Sequence, residues 1–97
     1  MKYFKNLTAN EQEMIIDITE DDMFESGFDS EIWSDYFLEG NDSNLTLNQQ
    51  KGVLSNLSQK GIVFVSGGGR DSTIQFTDEG IKMLKASGKF DQYGQLV

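Results

Sequence analysis

The stretch from residue 46 to residue 80 constrains the fold more than any other part of the chain. Residues 46–49, Thr-Leu-Asn-Gln, have the form of a capping box, in which a threonine and a glutamine satisfy each other's backbone donors at a helix start. Apolar residues then follow at helical spacing until Gly61, a residue suited to ending a helix. Two β-prone runs, residues 62–65 and 73–76, flank a glycine-rich segment, and residues 77–80 open another helix. The sequence therefore predicts helix, hairpin and helix in that order.

The remainder of the chain completes an α+β domain. Thr8 and Glu11 form a second capping box, followed by apolar residues on one helical face. The aromatic segment after Ser30 is predicted as a short helix, and the polar segment after Gly40 as a loop. We expect helices at about 8–22, 30–39, 46–60 and 78–86, and strands at 62–66 and 72–77. The prediction is one domain over residues 1–97, with a core at about 7–86 and a short tail at 87–97.

A family resemblance covers roughly residues 7–86 and is strongest over residues 47–80. Residues 57–62, Leu-Ser-Gln-Lys-Gly-Ile, and residues 76–80, Phe-Thr-Asp-Glu-Gly, resemble the end of the recognition helix and the end of the wing in MarR-type winged helix-turn-helix regulators. Arg70 corresponds to the basic residue near the tip of the family's wing. The resemblance implies a winged helix-turn-helix fold: a three-helix core, a two-stranded β-hairpin wing and a C-terminal helix. It also implies transcription regulation on double-stranded DNA. The family's homodimer uses long terminal helices, for which this chain has few residues beyond its caps.

The helix at 46–60 supplies candidate DNA contacts. Its polar side chains are types that pair with base edges in a major groove, and its lysines can reach phosphates. The resemblance adds a wing residue directed to the minor groove. The candidate DNA-binding residues are Asn48, Gln49, Lys51, Ser55, Asn56, Gln59, Lys60 and Arg70. Plain solvent exposure of a polar helix face is the alternative interpretation.

The charge of the chain favours a different partner. A net charge of −8 and an isoelectric point near 4.2 are unfavourable for a phosphate-binding protein. Residues 1–42 contain twelve acidic residues and two lysines, whereas residues 43–97 contain four acidic and six basic residues. The second hypothesis is therefore an acidic winged-helix protein-interaction module, a phage-type or accessory factor, that binds a basic protein. Its candidate residues are Glu20, Asp21, Asp22, Glu25, Trp33 and Asp35.

Trp33, Tyr36 and Phe37 allow two interpretations. Their spacing is that of one face of a helix, which favours packing in the core. Tryptophan and tyrosine are also frequent anchors at protein interfaces. In that case the acidic neighbours Glu31, Asp35 and Glu39 would form the polar rim of an aromatic patch.

Other function classes receive no support from the sequence. The chain has neither histidine nor cysteine, so the usual catalytic pairs and thiolate metal sites are missing, and we expect a non-enzyme without a cofactor. The glycine run at 67–69 joins two predicted strands, which favours a hairpin tip over a phosphate loop. The acidic cluster at 20–29 lacks the spacing of a calcium loop. No apolar run is long enough to span a membrane, and we expect a cytoplasmic protein.

Overall fold

The computed structural model describes residues 3–41, 43–67 and 71–97. It is an α+β fold in which four α-helices pack with a three-stranded antiparallel sheet. The elements in chain order are α1 (Ala9–Glu20), β1 (Ile32–Trp33), α2 (Ser34–Gly40), α3 (Leu47–Gln59), β2 (Val63–Ser66), β3 (Thr73–Phe76) and α4 (Asp78–Ala86). Short 3-10 helices lie at Phe4–Asn6 and Gly27–Asp29. No helix within these three ranges is both long and apolar enough to cross a membrane.

Both predicted capping boxes are formed. The backbone N–H of Thr8 donates to Glu11 Oε1 at 2.8 Å, and that of Glu11 donates to Thr8 Oγ1 at 3.1 Å. Thr46 and Gln49 make the same reciprocal pair at 2.9 and 3.2 Å. These bonds satisfy backbone donors that have no partner inside the helix, and they fix where α1 and α3 begin.

The sheet corrects the prediction for residues 30–39. Ile32 and Trp33 form a strand, paired with Ile74 and Thr73 of β3, and the helix begins only at Ser34. The predicted two-stranded hairpin is therefore part of a three-stranded sheet in the order β1-β3-β2. A β-branched and an aromatic residue suit a pleated surface, and alternation along the strand turns Ile32 into the core and Trp33 outward.

The core joins the helices to the inner face of the sheet. Helix α3 contacts both α1 and β2, and its Leu54 and Leu57 are buried as predicted. The chain ends also contribute: Phe4 and Phe90 pack edge to face with their ring centroids 5.7 Å apart. The predicted tail at 87–97 thus folds back onto the domain, and Phe90 and Leu96 form a β-bridge within it.

A close backbone contact fixes the start of α4. The hydroxyl of Thr77 donates to the carbonyls of Gly61 and Ile62 and accepts from the backbone N–H of Gly80. A Cβ atom at Gly80 would overlap the carbonyl oxygen of Ile62. Only a residue without a side chain therefore fits where this helix crosses the start of the hairpin.

We predict opposite effects of one substitution at two helical glycines. Gly80→Ala should lower the free energy of unfolding by about 1–3 kcal/mol, because the backbone must shift to admit the methyl group. Gly52 lies on the exposed face of α3, and apart from its chain neighbours and the adjacent helix backbone no atom of the described residues lies within 4 Å of the position that an alanine methyl group would take there. Gly52→Ala should raise stability by roughly 0.5–1 kcal/mol through helix propensity. Urea unfolding of both variants checks this, and equal effects would contradict the close contact.

Candidate functional site

Trp33 and Tyr36 are exposed rather than packed in the core. Trp33 is 45% exposed and Tyr36 is 73% exposed, whereas Phe37 is 1% exposed. The core-packing interpretation is therefore wrong for the first two residues. The reason is the change of element: Trp33 belongs to a strand and Tyr36 to the following helix, so the three side chains do not share one helical face.

The two exposed aromatic side chains lie in a groove with acidic residues. The groove has a volume of about 560 Å³. We call it the aromatic–acidic groove, and it is lined by Trp33, Asp35, Tyr36, Glu39 and Asp71. It combines large flat apolar surfaces with three carboxylates, a chemistry that suits cationic groups.

Strand pairing brings this groove together. Beyond the pair Trp33 and Thr73, the backbone N–H of Ser34 donates to the carbonyl of Ser72 at 3.0 Å. The Ser34 hydroxyl donates to the same carbonyl at 2.9 Å and also hydrogen-bonds to the Ser72 hydroxyl. These contacts, which we call the Ser34–Ser72 clasp, hold the first turn of α2 against the start of β3. Asp35 follows Ser34 in the chain and Asp71 precedes Ser72, so the clasp brings both aspartates to one groove.

The polar groups of the groove have no partner within the described residues. The carboxylates of Asp35, Glu39 and Asp71 make no salt bridge or hydrogen bond with any residue that the structure describes, and neither do the Trp33 indole and the Tyr36 hydroxyl. Three acidic side chains in one groove repel one another, which costs stability. A bound cationic group would relieve this repulsion.

Most of the predicted DNA-binding residues share the outer face of α3. Asn48, Gln49, Lys51, Ser55, Asn56 and Gln59 are all exposed there, opposite the buried Val53, Leu54 and Leu57. The side-chain oxygen of Gln49 is engaged in the capping box, which leaves its amide nitrogen for other contacts. Arg70 lies outside the described residues, as does most of the predicted glycine tip of the hairpin.

Lys51 does not stand in a purely basic surface. It lines a second groove, of about 600 Å³, between α3, α2 and the hairpin. Asp35 lines the same groove, together with serines and the apolar side chains of Leu38, Leu54 and Val65. One acidic residue of the N-terminal half and one basic residue of the C-terminal half therefore share a groove beside α3.

Lys60 has a structural contact that the sequence did not indicate. Its ammonium group donates to both carboxylate oxygens of Glu11, at 2.7 and 2.8 Å. The Glu11 side chain is 1% exposed and that of Lys60 is 40% exposed. Burial raises the pKa of Glu11, but hydrogen bonds from Lys60 and Thr8 more than offset it and hold the pKa below its ordinary value of 4.5. A phosphate contact by Lys60 would compete with this ion pair.

The residues predicted for protein binding are divided between two grooves and one turn. Trp33 and Asp35 line the aromatic–acidic groove. Glu20, Asp21 and Asp22 line a separate groove at the end of α1. Glu25 is exposed in the turn that follows and lines neither groove. The predicted set therefore does not line a single groove.

Asp71 is the groove residue that the sequence did not suggest. It stands 36 positions after Asp35, in the loop before β3. The signal that identifies it is the register between β1 and β3, which is not visible while residues 32 and 33 are assigned to a helix.

The comparisons with known proteins give no assignment. No family model matches the chain, and neither the curated proteins nor the solved structures contain a match. The functional interpretation therefore depends on the geometry and charge of the grooves.

We predict that methionine in place of Lys60, the C-terminal cap of α3, destabilises the protein, whereas methionine in place of Lys51 on the surface of α3 does not. In Lys60→Met, burial acts on Glu11 with less opposition, so its pKa rises. In the native protein the pKa of Glu11 in the folded state lies below 4.5. The ionised Glu11 carboxylate therefore stabilises the fold above pH 4.5, and this stabilisation is lost as the pH falls through the folded-state pKa. The variant should be less stable at pH 7, by about 1–3 kcal/mol, and its difference from the native protein should shrink as the pH falls and Glu11 becomes protonated in both proteins. Lys51→Met should change neither the stability at pH 7 nor its dependence on pH appreciably. Urea unfolding across the acid range is the measurement, and equal behaviour of both variants counts against the ion pair.

Neutralising Asp71 should make the protein more stable. Asp71→Asn removes one of the repelling charges of the groove, and the free energy of unfolding should rise by roughly 0.2–1 kcal/mol. Asp78→Asn provides the matched control, because Asp78 lies in the first turn of α4, where a negative charge interacts favourably with the helix dipole. That variant should lose roughly 0.3–1 kcal/mol. Thermal or urea unfolding at low salt measures both, and a loss of stability in Asp71→Asn would show that the groove is not electrostatically strained.

Proposed function

We propose that this protein is a protein-interaction module, built on a winged-helix scaffold, that binds a basic partner through the aromatic–acidic groove. The observation that carries the proposal is the exposure of Trp33 and Tyr36 in one groove with three carboxylates that have no partner among the described residues. An exposed tryptophan and tyrosine supply large contact areas, and the acidic residues supply charge complementarity to a cationic partner.

The scaffold part of the proposal is supported by the order and packing of the elements. A capped helix, α3, leads directly into the β2–β3 hairpin and then into α4, and a short third strand pairs with the hairpin. This arrangement is compatible with a winged helix. In that scaffold the groove lies at the sheet edge formed by β1, and β2 forms the opposite edge of the sheet.

The net charge agrees with the local charge. The chain carries −8 overall, so its long-range field attracts basic molecules and repels nucleic acid. A basic partner therefore meets a negative potential both while it approaches the protein and when it reaches the groove.

DNA binding as a transcriptional regulator is the second candidate, and one observation favours it. The outer face of α3 presents Asn48, Ser55 and Asn56 to solvent, all uncharged side chains that hydrogen-bond to base edges. Lys51 is an exposed cation on that face, and Asp35 shares its groove. With so few phosphate contacts, duplex binding would be weak and would depend little on salt.

A binding titration separates the two candidates. Trp33 is the only tryptophan, so its fluorescence reports directly on the groove. The native protein should respond to a basic peptide rich in lysine and arginine, and at about 50 mM salt a random duplex pool should neither bind nor compete. The double variant Asp35→Asn/Glu39→Gln should lose most of the affinity for the peptide.

A matched variant tests whether the position of the charges matters. Glu20→Gln/Asp22→Asn removes the same number of charges from the end of α1, outside the groove. It should retain most of the affinity. Equal losses in both double variants would mean that only net charge is sensed, and sequence-selective duplex binding that requires Asn48 and Lys51 would establish the DNA alternative instead.

The partner itself can be captured at the groove. A photo-crosslinking amino acid at Tyr36 should trap a basic protein from cell extract, and the crosslink should disappear in the Asp35→Asn/Glu39→Gln background. The same amino acid at Tyr93, which is 65% exposed outside the groove, is the control. A crosslink of equal yield at both positions would refute binding at the groove.

A further inference from the structure

We infer that the aromatic–acidic groove recognises arginine side chains in preference to lysine side chains. The inference rests on the proposed function, because it assumes that a basic partner occupies this groove. It adds the identity of the cationic group that the partner must present. Three observations support it: the exposed rings, the carboxylates without partners among the described residues, and the neutral surroundings of Trp33 on the outer face of the sheet.

The exposed rings favour a flat cation. Trp33 is 45% exposed and Tyr36 is 73% exposed, and neither ring is paired with another aromatic ring or with a cation among the described residues. A guanidinium group is planar and delocalised, and it can stack on an aromatic face while its edge stays free to donate hydrogen bonds. An ammonium group is compact and must give up more of its hydration to approach a ring.

The carboxylates favour a cation with several donors. Asp35, Glu39 and Asp71 line the groove around the two rings, and their oxygens have no donors among the residues that the structure describes. Arginine presents five N–H donors in a fixed fork and can bind a carboxylate through two parallel hydrogen bonds. Lysine has three donors at a single point, so it pairs with fewer of these oxygens in a defined geometry.

The third observation concerns the side of Trp33 that faces the sheet. On the outer face of the sheet Trp33 pairs with Thr73, which is hydrogen-bonded to Ser66 through the two hydroxyls at 2.8 Å. These neighbours carry no charge, so within the described part of the sheet no lysine or arginine competes for the Trp33 ring. The ring remains available to a cation from a second molecule.

The experiment compares two peptides of equal length and charge, one with arginine and one with lysine at every basic position, separated by glycine and serine. The readout is the fluorescence of Trp33, the only tryptophan, supported by calorimetric titration. The arginine peptide should bind about two- to fivefold more tightly, the range expected for stacking on a partly exposed ring.

A pair of tyrosine variants tests the source of the preference. Tyr36→Leu removes one ring from the groove and leaves the Trp33 reporter in place, and it should reduce the arginine preference by at least about half. Tyr93→Leu removes a ring that is 65% exposed elsewhere on the surface, and it should leave the preference unchanged.

The outcomes separate this inference from the proposed function. If both peptides bind equally and the Asp35→Asn/Glu39→Gln variant binds neither, the groove binds basic partners without distinguishing arginine, and only the present inference is overturned. An arginine preference that persists in Tyr36→Leu also overturns it, because the preference then comes from outside the groove. If neither peptide binds the native protein, both the proposed function and the inference fail.

Discussion

The pairing of β1 with β3 is the contact on which the proposed site depends. Strand β1 is only two residues long, and the Ser34–Ser72 clasp extends its pairing to the first residue of α2. Each of these hydrogen bonds contributes about 0.5–1.5 kcal/mol, which is enough in combination to fix one register. That register places Ile32 in the core, turns Trp33 outward and brings Asp35 into the groove with Asp71. A shift by one residue would exchange the buried and exposed side chains and abolish the groove.

The Glu11 carboxylate and the carboxylates of the groove differ in their hydrogen bonding. Glu11 is almost fully buried, and both of its oxygens accept hydrogen bonds, from Lys60 and from the backbone of Thr8. The acidic residues of the groove receive none from the described residues, although Lys51 lies in the adjacent groove with Asp35. Glu20 and Asp22, outside the groove, likewise make no salt bridge within the described residues, so the groove is distinguished by the two exposed rings that accompany its carboxylates. Functional sites commonly retain such locally unfavourable arrangements because binding relieves them.

The sequence predicts those parts of the fold whose signals are local. Both capping boxes, the helix that ends before Gly61, and the burial of Leu54 and Leu57 are confirmed, because each depends on residues a few positions apart. Strand β1 was missed because two residues show no periodicity, and its stability comes from contacts 38 positions along the chain. The ion pair of Lys60 with Glu11 spans 49 positions and was missed for the same reason. Candidate binding residues were thus identified by type, but their grouping into sites required the strand register.

Charge and aromatic surface have separate physical roles in the proposed interaction. The net charge of −8 acts over a distance set by salt screening, about 8 Å at physiological ionic strength, so it mainly affects how fast a basic partner arrives. Trp33 and Tyr36 act only in contact, where ring stacking is insensitive to bulk salt, so they mainly affect how long the partner stays. A surface with carboxylates alone would attract every basic molecule with little distinction. The Trp33 ring on β1 and the Tyr36 ring on α2 give that attraction a defined position and a preferred shape of cation.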